Sequence, residues 1–156
     1  MTNTGDMTWG GGGRFLFEIY DAAGAPATDW DALLISGGLT ITSSSANPFV
    51  IDMQTLANPA ANSPGLMPTW DGDTNHQWLF VVAGSEITSF DASGFTFNTT
   101  NFLNAKPGTF SVARGDSGGT NNALYIVYAA VPEPGTLVLA GIGLAAAGWH
   151  LRRRRM

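Results

Sequence analysis

Ser117 is the side chain whose neighbours best suit a nucleophile. It stands in Gly115-Asp116-Ser117-Gly118-Gly119, a run that can expose a serine on a tight turn. A serine hydroxyl attacks only when a histidine takes its proton, a carboxylate orients that histidine, and backbone N–H groups receive the oxyanion. The first 131 residues hold one histidine, His76, whose sequence context offers no such role. The run therefore reads as a polar turn before the strand Leu124 to Tyr128, and no catalytic residue is assigned. Arg114-Gly115-Asp116 overlaps it and spells an adhesion tripeptide, which works only on a displayed loop tip; the same turn accounts for it. Asp29 and Asp31 flank Trp30, and two acids beside an aromatic ring can serve glycoside hydrolysis. On a strand they would share the outward face with Trp30 inward, which is the preferred reading.

Asp71-Gly72-Asp73-Thr74-Asn75 sets oxygen donors at every second position, the spacing of a calcium loop. The EF-hand form then requires glycine where His76 stands and glutamate where Val82 stands. Asp71, Asp73 and Asn75 are left with a calcium loop of another kind or, more simply, an exposed turn entering the strand at Trp78. No metal and no cofactor is assigned. Gly10 to Gly13 has no Lys-Ser/Thr behind it and leads into a strand, so it is not a phosphate loop. Trp9, Trp30, Trp70 and Trp78 could stack on sugar rings, but large aromatics in a β-protein usually belong to the core.

The elements that must position these residues are strands. Phe15, Phe17 and Ile19 alternate with Leu16, Glu18 and Tyr20, and Leu39 and Ile41 alternate with threonines. Phe49, Ile51 and Met53 share a face, and Trp78 to Val82 is a continuous apolar run. Phe95 and Phe97, Phe110 and Val112, and Leu124, Ile126 and Tyr128 repeat the alternation. Gly37-Gly38, Asn47-Pro48, Ser93-Gly94, Pro107-Gly108 and Gly118-Gly119 punctuate them. Short strands with polar turns predict an all-β body over residues 1–130. Residues 58–68 hold three prolines and read as a long loop. No internal repeat of fixed period stands out.

Composition narrows the function. The 156 residues leave room for one domain plus a tail. Residues 1–131 carry three basic side chains against eleven acids, a net charge of −8. An acidic body argues against nucleic acid as a partner, because phosphate binding wants a basic face. The chain has no cysteine, so no disulfide and no thiolate metal site. The opening MTNTGDMTWGGGG has neither a basic region nor an apolar core, so it is not a signal peptide. Met1 is expected to lie inside a longer protein.

The tail, residues 131–156, has a different grammar. Pro132-Glu133-Pro134 is followed by an apolar stretch with no formal charge if His150 is neutral, and then by Arg152, Arg153, Arg154 and Arg155. About 20 helical residues cross a bilayer core, and this stretch is at the short end of that range. Arginine snorkelling and local thinning make up the difference. Clustered arginines stay in the cytoplasm, so the body should face outward. Gly141 and Ala145 offer a small-residue face for close helix approach.

With Val131, these three parts in this order resemble the PEP-CTERM sorting signal, the substrate tag of exosortases in Gram-negative bacteria. The resemblance implies that a membrane processing enzyme reads Pro132, Glu133 and Pro134, that Arg152 to Arg155 are the cytoplasmic anchor, and that the protein is then released or re-anchored. The two prolines fix φ and favour an extended form, which suits a processing groove.

The body has a second likeness. Gly5-Asp6-Met7-Thr8-Trp9, Phe15-Leu16-Phe17-Glu18-Ile19, and Asp29-Trp30-Asp31-Ala32-Leu33 leading to Gly38-Leu39-Thr40-Ile41 resemble the C-terminal end of autotransporter-associated β-strand repeat proteins. That implies the terminal turns of a right-handed parallel β-helix, with a β-sandwich as the alternative, followed by one C-terminal transmembrane-type helix. The function expected is a non-enzymatic, exported envelope or surface protein with a structural or adhesive role. It would lodge transiently in the inner membrane, with an exosortase-type enzyme and exopolysaccharide as partners. The rival is a secreted carbohydrate-binding module or polysaccharide hydrolase, marked by a concave row of exposed tryptophans or by two facing carboxylates.

Overall fold

The computed structural model describes residues 1–131. Alternation of apolar and polar side chains makes them an all-β unit, with a 3₁₀ turn at Ala92–Gly94. The chain makes three passes. The first lays down β1 (Thr2–Asn3), β2 (Met7–Trp9) and β3 (Arg14–Ile19). The second repeats the order with β4 (Leu33–Ile35), β5 (Leu39–Ile41) and β6 (Phe49–Thr55). The third has β7 (His76–Ala83), a single bridge at Thr88 and β8 (Phe95–Asn101). Corresponding strands pair in parallel: β1 with β4 and β4 with β7, β2 with β5, β3 with β6 and β6 with β8. Thr40 bridges Thr88 in the same sense. A parallel partner needs a crossover of a dozen or more residues, and here the other strands of each pass supply it.

The direction then reverses. β9 (Thr109–Gly115) and β10 (Ala123–Ala129) form an antiparallel pair, and β10 also lies antiparallel on β7. The largest sheet therefore has the order β1-β4-β7-β10-β9. The connection between β9 and β10, residues 116–122, bends at Gly118, which takes φ +72°, a conformation side chains resist.

Inward residues stack along the ladders. Phe15, Ile51 and Phe97 are register partners, as are Leu33 and Val81. Trp9 lies flat on Phe49, with centroids 4.4 Å apart. Trp9, Trp30 and Trp78 are all buried. The indole N–H of Trp30 donates to the Leu79 carbonyl at 2.9 Å and that of Trp78 to the Ala22 carbonyl at 3.1 Å, so burial leaves neither group unpaired. Each such side chain contributes about 1.5–3 kcal/mol through the surface it removes from water.

The outward face of β3, β6 and β8 is a polar ladder. Gln54 donates to Glu18 at 2.7 Å, Asn98 donates to Asp52 at 2.7 Å, and Arg14 pairs with Asp52. Burial pushes the Asp52 carboxyl up, but the hydrogen bonds from Arg14 and Asn98 and the Arg14 charge outweigh it and hold its pKa below the ordinary value. The proline-bearing stretch 58–68 contains no strand, as expected. Among the described residues no helix is long and apolar enough to cross a membrane, and the apolar stretch before Arg152 lies outside them.

Candidate functional site

Tyr128, His76, Trp70 and Trp78 meet at the carboxyl end of β10. Tyr128 sits between β7 and β9, paired with His76 on one side and Phe110 on the other. It is fully buried. Its hydroxyl accepts from Gly108 N–H at 2.7 Å and donates to the Gly72 carbonyl at 3.0 Å. Trp70 lies 4.8 Å from the Tyr128 ring and stacks at 4.9 Å on His76, which stacks in turn on Trp78. The Trp70 indole N–H donates to Ala105 O at 2.6 Å. Beside these rings opens a cleft of about 760 Å³, lined by Trp70, Asp71, Asp73, Lys106 and Pro107 among others. Lys106 donates to Phe102 O at 3.0 Å and sits over that ring.

Of the expected calcium donors, Asp71 and Asp73 line this cleft, and the three residues have separate tasks. Asp71 Oδ1 accepts from Asp73 N–H at 3.0 Å, the Asx pattern by which an aspartate closes its own turn. The Asp71 carbonyl lies 2.7 Å from His76 Nε2. Asn75 Oδ1 accepts from Ala130 N–H at 2.9 Å. The segment is thus the exposed turn entering β7, and the Asn75 oxygen is engaged with the end of β10. Among the described residues no group of three or more histidine, aspartate or glutamate side chains could hold a metal ion.

The other sequence candidates are scattered. Ser117 lies past the far end of β10, where Asn122 grips it: Ser117 N–H donates to Asn122 Oδ1 at 2.8 Å, and Asn122 Nδ2 donates to Ser117 O at 3.0 Å. His76 faces Tyr128 at the other end of the strand, so about 20 Å separates the serine from the histidine. Arg114 is folded back onto the body, donating to Ile87 O at 2.8 Å over the Phe90 ring, so the Arg-Gly-Asp tripeptide is not displayed on a loop tip.

Asp29 and Asp31 flank an inward Trp30, which makes an isolated bridge to Ile19. Their oxygens take Ala25 N–H at 2.6 Å and Glu18 N–H at 3.0 Å. Burial pushes the Glu18 carboxyl up and the charge of Asp31 adds to it; the hydrogen bond to Asp29 likewise raises Tyr20. Gly10 to Gly13 lead into β3, and Gly12 N–H donates to Pro48 O at 3.0 Å. Of the four tryptophans weighed as a sugar platform, three are buried and Trp70 is half-buried.

Asn122 and the Tyr128 hydroxyl are the residues sequence reasoning missed, and Asn75 was singled out there as a calcium donor and not as the partner of Ala130. A tyrosine on the inward face of a strand was the one readable signal, since a buried hydroxyl needs partners.

Pro132, Glu133, Pro134 and Arg152 to Arg155 lie outside the described residues. The strand that leads to them ends at Ala129. Residues 130–155 match the PEP-CTERM protein-sorting motif. That motif indicates an exosortase-processed protein exported to the cell envelope or surface. The match begins at the residue that Asn75 holds. No curated protein and no solved structure matches the chain.

Proposed function

We propose that this chain is a structural or adhesive surface protein that an exosortase frees from, or re-anchors in, the envelope. The observation that carries the reading is the sorting motif over residues 130–155. The body is delivered outside while the apolar stretch lodges in the inner membrane and Arg152 to Arg155 remain in the cytoplasm. Pro132, Glu133 and Pro134 are the segment the enzyme takes. The body, residues 1–130, is the terminal part of a right-handed parallel β-helix like those of autotransporter-associated repeat proteins. Three passes with parallel partners support that architecture, since the sheets of a sandwich are antiparallel. The role is non-enzymatic: Ser117 and His76 at opposite ends of β10 and inward tryptophans favour a scaffold over a hydrolase or sugar-binding module. The polar outer ladder of Arg14, Asp52 and Asn98 suits a surface in contact with exopolysaccharide.

The test is fractionation in an exosortase-bearing Gram-negative host. Glu133→Gln, or alanine at Arg152 to Arg155, is expected to leave the chain full-length in the inner membrane while the wild type loses its C-terminal peptide. Normal processing of both variants, read by mass spectrometry of the final peptide, would refute the sorting role.

A further inference from the structure

We infer that Asn75 is a latch that sets how much chain the processing enzyme can take on the body side of Pro132; this rests on the sorting reading above. Hydrogen bonding stops on both flanks of β10 at the same place. On the β9 flank the ladder ends with Ala129 opposite Thr109. One more pair would bring Val131 opposite Pro107, which has no N–H to offer. On the β7 flank the backbone turns away at Asp71–Asn75, and the Asn75 side chain takes the last amide, Ala130 N–H, at 2.9 Å. The Asp71 turn holds Asn75 there through its bonds to Asp73 and to His76. Pro132 and Pro134 have no N–H, so neither can continue the row of donors that ends at Ala130.

Only Val131, half exposed, therefore separates the last held amide from Pro132. An enzyme that binds its substrate as an extended strand pairs with backbone on both sides of the bond it cuts. Residues 129 and 130 become available to it only when the end of β10 opens. Processing then follows the population of the opened end, provided opening is fast relative to cleavage. Asn75 holds that population down. Tyr128, buried and bonded to Gly108 and Gly72, keeps the opening from running further up the strand. Asn75 is a positioning residue; nothing places it on the reacting atoms.

The experiment is pulse-chase processing of the full chain in the exosortase-bearing host, paired with amide exchange on the purified full chain. Asn75→Ala removes the acceptor and is expected to speed processing about three-fold, the worth of one exposed hydrogen bond. Ala130 exchange should quicken while Leu124 to Val127 stay protected. Asn75→Asp keeps an oxygen acceptor and should process at the wild-type rate. Inserting Gly-Ser-Gly after Ala130 leaves the turn untouched and should match Asn75→Ala. Unchanged or slower processing in Asn75→Ala with faster Ala130 exchange overturns the latch. If Asn75→Ala does not fold, an insertion variant processed at the wild-type rate overturns it alone. A wild-type chain that keeps its arginines refutes the sorting reading, and the latch with it.

Discussion

Tyr128→Phe isolates one oxygen atom. The substitution keeps the ring that packs 4.8 Å from Trp70 and 5.0 Å from Phe110. It removes the atom that joins Gly108 N–H to the Gly72 carbonyl, and so joins the two turns flanking the end of β10. An unmet buried partner costs about 1–3 kcal/mol. The two partners are not equally stranded. Gly72 lines the open cleft, so water can reach its carbonyl, whereas Gly108 N–H lies against the ring. The expected loss is about 2 kcal/mol, within the range for one stranded group. At about 2.1 cal/mol/K of unfolding entropy per residue, the body melts about 7 °C lower for that loss. Thermal unfolding followed by near-ultraviolet circular dichroism, on the full chain, measures it. Amide exchange should quicken at Gly108 and spare Ile126. A melting point within about 1 °C of wild type, with Gly108 still protected, would refute the claim that this hydroxyl holds the two turns together.

Two further outcomes follow from the charges. Glu18 has its carboxyl raised by burial and by Asp31, so its ionised form disfavours the fold. A raised folded pKa gives stability that is full below the unfolded value and lost as pH rises through the folded one. Glu18→Gln, whose amide oxygen can still accept from Gln54, should therefore melt higher than wild type at pH 7, with the gain gone near pH 4; a gain that persists in acid would contradict this. Millimolar calcium or a chelator should leave the melting point unchanged, because Asp71 closes its own turn and Asn75 holds Ala130; a rise with calcium would show that the turn opens to bind it.

Much of this architecture was legible in alternation. Phe15, Phe17 and Ile19 announce β3, and Leu124, Ile126 and Tyr128 announce β10, because period two leaves one apolar face to bury. β1, β2 and β4 were missed for physical reasons. Thr2–Asn3 is too short and polar to show a face, and Leu33-Leu34-Ile35 does not alternate even though Leu34 points outward. The parallel order was hidden by unequal spacing. Thr2 pairs with Leu34, 32 residues on, but Leu33 pairs with Val81, 48 residues on. The proline-bearing loop before β7 absorbs part of the difference, so no fixed period survives. The candidate site was legible only in part. The motif over residues 130–155 is linear and can be read as text, whereas the grip of Asn75 on Ala130 spans 55 positions and exists only after folding.

The reversal of direction at β10 also has a mechanical side. The strand that leads to the sorting motif is bonded to β7 on one flank and to β9 on the other. Its hydrogen bonds run across the strand, so a tug on Val131 along the strand loads both rows of bonds at once instead of peeling them singly. A pull on the carboxyl end is thus met in shear by the two ladders that hold β10.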